Sequence, residues 1–313
     1  MSKIYNSVEE LVGHTPLLQL NKLMKKFQLK ANLIVKCEFY NPVFSVKDRV
    51  ACNMIKKAPF SKIKSDTVFI EATSGNTGAA LAAFCAYHDY KLVIVMPENM
   101  TKEKIALIKH FGADVLLTPA EEGMAGAIKK VEILKQRSDN LIEFRQFENP
   151  ANVEAHQLTT AAEILEDTGG EIDAVVCGVG TSGTLSGVSS TLKSYNPDLF
   201  VMAVEPAESA VLSGGEKGSH QIGGIGAGFV PPLYQAELVD EIFKVASTDA
   251  LKMTQTVAKT EGLPIGVSAA AALCGAIDLA KRDEFAGKNI VAILPDSVER
   301  YLSNPFYSKE EQD

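Results

Sequence analysis

The sequence is poor in the features that mark several large functional classes. Its 313 residues carry no surplus of positive charge: 31 Lys and Arg face 39 Asp and Glu, a formal charge of −8. No basic block is long enough to follow a phosphate backbone, which argues against nucleic acid as a partner. No apolar run approaches the ~18 residues that a bilayer span requires, so no membrane partner is expected. Met1 to Glu10 is polar, unlike a targeting segment. The cysteines (Cys37, Cys52, Cys85, Cys177, Cys274) are far apart and form no CxxC pair. Most sit in apolar segments, where a reduced thiol packs as a small hydrophobe, and a cytoplasmic protein is the expectation. His14, His88, His110, His156 and His220 are scattered without an HExxH or a Cys/His cluster, so no metal site is expected. GxSxG and GxxxxGK are missing as well, which removes the serine-hydrolase and P-loop chemistries.

What is present is an alternation of short β-branched runs with segments of helical spacing. The runs are Leu33 to Glu38, Val68 to Ala72, Lys91 to Met96, Asp114 to Leu117, Leu141 to Phe147, Ala174 to Cys177, Phe200 to Val204 and Asn289 to Leu294. Most are nearly continuous apolar stretches, as parallel strands buried on both faces require. Helical spacing falls at 76–87, 102–111, 125–136, 153–166, 248–259 and 269–281. Gly112 fits a helix C-terminus, and Ser247 and Thr248 fit a helix start. The expected class is α/β, with mostly parallel sheets wrapped by helices. Asn149-Pro150-Ala151-Asn152 is the clearest mid-chain turn and the expected boundary between two halves. Ser213 to Pro232 holds seven glycines and two prolines in 20 residues, which reads as an ordered loop or an active-site cover.

Chemistry concentrates in three segments. Gly178-Val-Gly180-Thr181-Ser182-Gly183 follows a strand and opens a helix, and formally matches the dinucleotide fingerprint GxGxxG, with Glu205 about 20 residues on. The crowding of hydroxyls at Thr181, Ser182 and Thr184 suits a terminal phosphate instead, and a bland tight turn is the third reading. Thr73-Ser74-Gly75-Asn76-Thr77-Gly78 also joins a strand to a helix, where backbone donors could hold a carboxylate or merely cap a turn. In Asn41 to Arg49, Ser45 is a good N-cap and Lys47 falls in the first helical turn. There the helix dipole and partial burial would both favour a free amine able to form a Schiff base, although a solvated surface lysine has the same local pattern.

Together Asn41 to Arg49, Glu71 to Gly78, Gln146 to Asn152, Gly178 to Gly187, Gly214 to Pro231 and Ile293 to Ser303 resemble the pyridoxal-phosphate cysteine synthases, the O-acetylserine sulfhydrylases, of which cystathionine β-synthase is a relative. The resemblance runs from about Ser7 to Phe306. It implies a two-domain fold-type II pyridoxal-phosphate enzyme like the tryptophan synthase β subunit. Residues 40–150 would form the smaller domain, with 1–39 and 151–313 forming the larger. It implies pyridoxal 5′-phosphate as cofactor, held covalently by Lys47, which also moves the proton at the substrate Cα. Gly180, Thr181, Ser182, Gly183 and Thr184 would cradle the phosphate, Asn76 would bond the 3′ oxygen and Ser297 would face the pyridine nitrogen. Asp296, next to it, is the rival for that last place. Thr73, Ser74, Gly75, Thr77 and Gln146 would grip the substrate carboxylate.

The implied reaction is β-replacement by way of an α-aminoacrylate, turning O-acetyl-L-serine and sulfide into L-cysteine and acetate in a homodimeric transferase of cysteine biosynthesis. Sulfide-releasing or cystathionine- or lanthionine-forming exchange on cysteine or homocysteine is the alternative within this chemistry. An NAD-dependent dehydrogenase or a catalytically dead homologue stands outside it. Phe44, Ser182, Val298 and the pair Ala269-Ala270 depart from the family's usual residues. A bulky Phe44 at a positive φ would be strained and would narrow the pocket.

Overall fold

The computed structural model describes residues 4–73 and 75–308. Its strands are β1 (Leu17–Gln19), β2 (Asn32–Cys37), β3 (Val68–Ala72), β4 (Lys91–Pro97), β5 (Asp114–Thr118), β6 (Leu141–Glu143), β7 (Ala174–Gly178), β8 (Phe200–Pro206), β9 (Glu241–Val245) and β10 (Asn289–Leu294). Its helices are α1 (Asn21–Phe27), α2 (Lys47–Lys56), α3 (Asn76–Tyr87), α4 (Lys102–His110), α5 (Gly123–Lys135), α6 (Pro150–Ala155), α7 (Ala161–Thr168), α8 (Gly183–Tyr195), α9 (Ser247–Glu261), α10 (Val267–Lys281) and α11 (Pro305–Ser308). The strands build a six-stranded sheet in the order β1-β2-β10-β7-β8-β9 and a four-stranded sheet in the order β5-β4-β3-β6. All pairs are parallel except β1 with β2.

Strand β10 lies inside the larger sheet, Val291 registering with Ile34 on one side and Val175 on the other. Its residues Ile290, Val291 and Ala292 are fully buried, which is why it reads as an unbroken apolar run. One face of this sheet packs on α1, α9 and α10 through Leu23, Val257, Leu273 and Ile277, and the other on α7 and α8 through Ile164, Val188 and Leu192. In the smaller sheet Phe69 and Ile94 meet α2 and α3 through Met54, Leu81 and Phe84. Ile70 and Val95 meet α5 through Ala127 and Val131. Each sheet is therefore sandwiched by helices, and α3 and α10 are apolar nearly all round because they are buried nearly all round.

The structure alters several sequence expectations. The strand expected over Leu141 to Phe147 stops at Glu143, because Arg145 takes a φ of +58° that extended backbone does not allow. Asn149 is not the middle of a turn: its side chain caps α6 and Pro150 takes the first helical position, where a missing N–H costs nothing. The single helix expected over 153–166 is three pieces, α6, a π turn at His156–Thr160, and α7. At α9 the cap position is Ala246; Glu208 accepts the Ser247 N–H, and the Ser247 hydroxyl accepts from the N–H of Gln221 instead. Gly112 does follow α4, at a φ of +86°. Edge strands β1 and β9 escaped notice, the first for its three residues and the second for the charges of Glu241 and Lys244 that break its apolar run. Among the described residues no helix is long and apolar enough to cross a membrane.

Candidate active site

Parallel strands direct their C-terminal ends to one edge, and ligands of open α/β sheets bind there. Here both sheets meet at such edges. A cavity of about 470 Å³ is lined by Thr73 after β3, Pro97 of β4, Gly178 of β7 and Pro295 after β10. Lys47, Asn76, Thr77, Gln146, Gly180, Thr181, Ser182 and Thr184 line it too, so the structure brings together most residues selected from the sequence. Gly75, Gly183 and Ser297 are not among its lining residues, and Ser74 lies outside the described residues. The glycine-rich segment forms a wall from Gly218 to Ala227. His220 holds that wall in shape: Nδ1 accepts the N–H of Ile222, so the other nitrogen, Nε2, carries the proton and donates to the carbonyl of Gly226 at 2.9 Å.

Lys47 is the first residue of α2, and its N–H donates to the Ser45 hydroxyl at 3.3 Å. Val46, not Ser45, occupies the cap position, and its N–H bonds to the Pro295 carbonyl, stitching the start of α2 to the end of β10. Burial lowers the Lys47 pKa, against the pull of Asp296 and Glu38. The amine is thus biased toward its uncharged, nucleophilic form, as the first-turn position suggested. Beneath it Arg49 donates to Glu38 at 2.7 Å and to Glu163 at 2.6 Å, while the fully buried Lys36 reaches Glu163 at 2.9 Å. This buried charge network fixes α2 on α7 and β2.

The loop before α8 has the character of an anion cradle. Gly180 is required by contact, since a Cβ there would lie 2.3 Å from the Gly224 carbonyl oxygen. Gly183 faces Asn152 in the same way, with 1.9 Å to Oδ1. Thr181 accepts hydrogen bonds from Asn152 Nδ2 and the Gly183 N–H, which leaves its proton free to donate into the cavity. Ser182 differs. Ser186 donates its only proton to the Leu233 carbonyl, so Ser182 must donate to Ser186, and its hydroxyl proton is turned from the cavity. The φ of +70° at Ser182 explains why glycine is usual at that position. His156, one of the scattered histidines, is buried and contacts Thr184 at 3.1 Å and Thr160 at 2.9 Å. Burial keeps it neutral well below its usual pKa, with the charges of Lys47 and Arg49 acting the same way.

The loop before α3 forms the opposite wall. Thr77 donates to Gln146 Oε1 at 2.7 Å, and Gln146 Nε2 donates to the Ala72 carbonyl, leaving one amide proton spare. Glu71 aims Gln146 by accepting the N–H groups of Arg145 and Gln146, although burial pushes its carboxyl up to about 8. Asn76 donates to Asp296 and accepts from Arg300.

Three expectations change. Ser297 donates to Glu299 at 2.6 Å and is turned from the cavity, whereas Ser268, in the first turn of α10, lines it and has no hydrogen-bond partner among the described residues. The sequence reading started that helix at Ala269, two residues late, and so passed over Ser268. Asp296 is buried with Asn76 and Tyr301 as partners. Phe44 does have a φ of +61°, but it is 54% exposed and does not line the cavity, so it cannot narrow it. The dinucleotide reading also loses its acid: the Glu205 carboxylate is occupied by the N–H groups of Leu212 and Ser213 and the Ser213 hydroxyl.

The family model described as pyridoxal-phosphate dependent enzyme matches residues 8–296. The chain belongs to this family. It is 46% identical over 308 residues to a cysteine synthase of Staphylococcus aureus, covering 98% of each chain. A crystal structure of the cysteine synthase of Entamoeba histolytica superposes with a TM-score of 0.94 at 42% identity, covering 99% of this chain and 93% of that one. A hydrogen sulfide-producing enzyme of Fusobacterium nucleatum gives 0.92 at 40% identity, covering 96% and 100%. The chain is therefore a pyridoxal-phosphate dependent enzyme of the fold-type II class. Its cavity fits the cofactor: an amine of lowered pKa, a glycine-bounded anion loop with a free threonine hydroxyl, and an unpartnered serine hydroxyl at a helix start.

Proposed function

We propose that the protein is a cysteine synthase, converting O-acetyl-L-serine and sulfide to L-cysteine and acetate. The observation that carries this reading is the Lys47 amine, its pKa lowered by burial, inside a cavity whose opposite walls are the 180–184 anion loop and the Thr73–Thr77–Gln146 hydroxyl and amide set. Bound pyridoxal phosphate supplies the electron sink for breaking bonds at the substrate Cα and Cβ. The chain supplies the rest. Lys47 holds the cofactor and moves the Cα proton. Gly180, Thr181, Gly183 and Thr184 hold the phosphate, with Ser182 contributing through its backbone. Thr73, Ser74, Gly75, Thr77 and Gln146 hold the substrate carboxylate, and Asn76 holds the cofactor's 3′ oxygen.

Ser268 replaces Ser297 as the group facing the pyridine nitrogen. A neutral hydroxyl there leaves the ring a moderate electron sink, enough for β-replacement and poorly suited to transamination. Two domains, 40–150 and 1–39 with 151–313, are supported by the two sheets. A homodimer and a cytoplasmic location complete the reading; the unpaired thiols, all buried but that of Cys274, support the second.

Borohydride reduction of the holoenzyme should fix cofactor mass on the peptide containing Lys47, and Lys47→Ala should abolish it. Adding O-acetylserine should shift the cofactor absorbance, and sulfide should restore it with one cysteine formed per acetate. A shift with cysteine alone, accompanied by sulfide release, would transfer the assignment to β-elimination. A colourless protein that binds NAD would transfer it to a dehydrogenase.

A further inference from the structure

The cavity contains a second amine that the proposed reaction has not used. Lys104 lies in the first turn of α4, is 6% exposed and lines the cavity. Lysines at helix starts ordinarily snorkel to water, because the positive end of the helix and the protein interior both disfavour an ammonium. This one turns inward. Its stem lies along Gly75, where an added Cβ would meet Lys104 Cδ at 2.4 Å. Its head stands 4.3 Å from the centre of the Tyr301 ring and 3.7 Å from where a Cβ of Gly223 would be. Among the described residues it has no hydrogen-bonded carboxylate and no ion pair. Burial lowers its pKa to about 8, so it remains mostly charged at neutral pH, with Asp296 and Glu103 favouring that charge and Arg300 opposing it. Among the described residues the cavity lining includes Lys47 and Lys104 and no Asp or Glu.

A buried ammonium without a carboxylate, facing a cavity free of acids, calls for an anion from outside. Two walls already have theirs in the proposed function, on which this inference rests: the 180–184 loop takes the cofactor phosphate and the 73–77 loop takes the substrate α-carboxylate. The Lys104 head extends past Gly75 to the third wall, at Gly223. The remaining site of negative charge in the reaction is the group on the substrate β-carbon. We propose that Lys104 is the cation of the β-substituent subsite, facing the acetate as it departs and the hydrosulfide as it arrives. The Cβ–O bond breaks with its electron pair on the carboxylate, and a lone pair of hydrosulfide later forms the Cβ–S bond. Lys104 exchanges no atom in either step; it offsets the charge that appears in the first and is consumed in the second. Gly223 fits this role, since a side chain there would occupy the space beside the ammonium.

The test compares the holoenzyme with Lys104→Met and Lys104→Arg, both checked for cofactor loading and thermal midpoint. Losing a charge-assisted contact should raise the sulfide KM of Lys104→Met by on the order of tenfold to a hundredfold and slow acetate release from O-acetylserine similarly. Affinity for thiosulfate, measured with no amino acid present so that this sulfur anion has no β-carbon to attack, should fall by the same order. Affinity for L-alanine, which has the α-carboxylate and no charged β-group, should be unchanged, and Lys104→Arg should recover most of the loss. Weakening of L-alanine in step with the rest would place the ammonium on the α-carboxylate and overturn the proposal. So would unchanged sulfide and thiosulfate values in Lys104→Met. If the parent binds thiosulfate through Lys104 yet releases no acetate from O-acetylserine, the anion subsite stands and the cysteine synthase reading falls.

Discussion

At the scale of single residues, the site depends on charges that are buried and paired rather than exposed. Glu163 shows the consequence. Burial alone would raise its carboxyl, yet the hydrogen bonds from Arg49 and Lys36 hold it at about 2, against an ordinary value of 4.5. A carboxyl whose folded pKa lies below its unfolded value contributes stability that is complete above the unfolded pKa. That contribution is lost as pH falls toward the folded value. The separation corresponds to about 3 kcal/mol, lost between pH 4.5 and 2. Glu163→Gln should therefore be less stable than the parent at pH 7, and its stability should decline less steeply over that acid window, measured by urea unfolding across pH. A parallel decline in both proteins would show that the ion pair carries no such coupling. Arg49→Met, which leaves the buried Glu38 without its cation and Glu163 with Lys36 alone, should cost more, on the order of 3–5 kcal/mol.

At the scale of elements, the cradle before α8 is shaped by what cannot be there. Gly180 is pressed against the Gly224 carbonyl, so Gly180→Ala must separate the 178–183 loop from the 222–226 loop. The overpacking should cost ~1–3 kcal/mol. It should appear chiefly as weaker cofactor affinity, read by equilibrium dialysis of pyridoxal phosphate against apoprotein, and an unchanged affinity would show that the two loops part freely. This cradle was legible in sequence because glycine and hydroxyl residues between a strand and a helix have few other uses. Lys47 was legible for the same kind of reason, since local spacing placed it in a first turn. Ser268 and Lys104 were not. Their importance comes from helices α10 and α4 pointing their first turns into one cavity, a long-range fact with no local pattern. His156 hid inside what reads as one continuous helix; the π turn that swings it toward Thr184 leaves the apolar spacing nearly intact. The buried strands were read nearly to the residue, while β1 and β9, the edges of the larger sheet, lacked the apolar runs that betray the others.

At the scale of the whole molecule, the chain leaves the larger sheet after β2, builds the smaller sheet, and returns, so the cavity between them depends on what ties the sheets together. The segment after β10 is one such tie. It begins in the larger sheet and crosses to the smaller one, where Thr101 donates to the Arg300 carbonyl at 3.0 Å and Glu103 accepts the N–H and hydroxyl of Ser303. Arg300 is its centre: buried, it donates to Asn76 Oδ1 and to the Val43 carbonyl, four residues before Lys47. Arg300→Met keeps the apolar volume and removes the donors, leaving two buried oxygens with fewer partners at a cost of about 2–4 kcal/mol. Because those oxygens sit at the starts of α2 and α3, the loss should be local before it is global. Hydrogen exchange should quicken at the amides of Phe44 to Asp48, while those of β10 in the sheet interior stay protected to the limit set by global unfolding. Uniformly faster exchange throughout the chain would mean that Arg300 supports overall stability alone, and that the alignment of Lys47 with the smaller sheet is secured elsewhere.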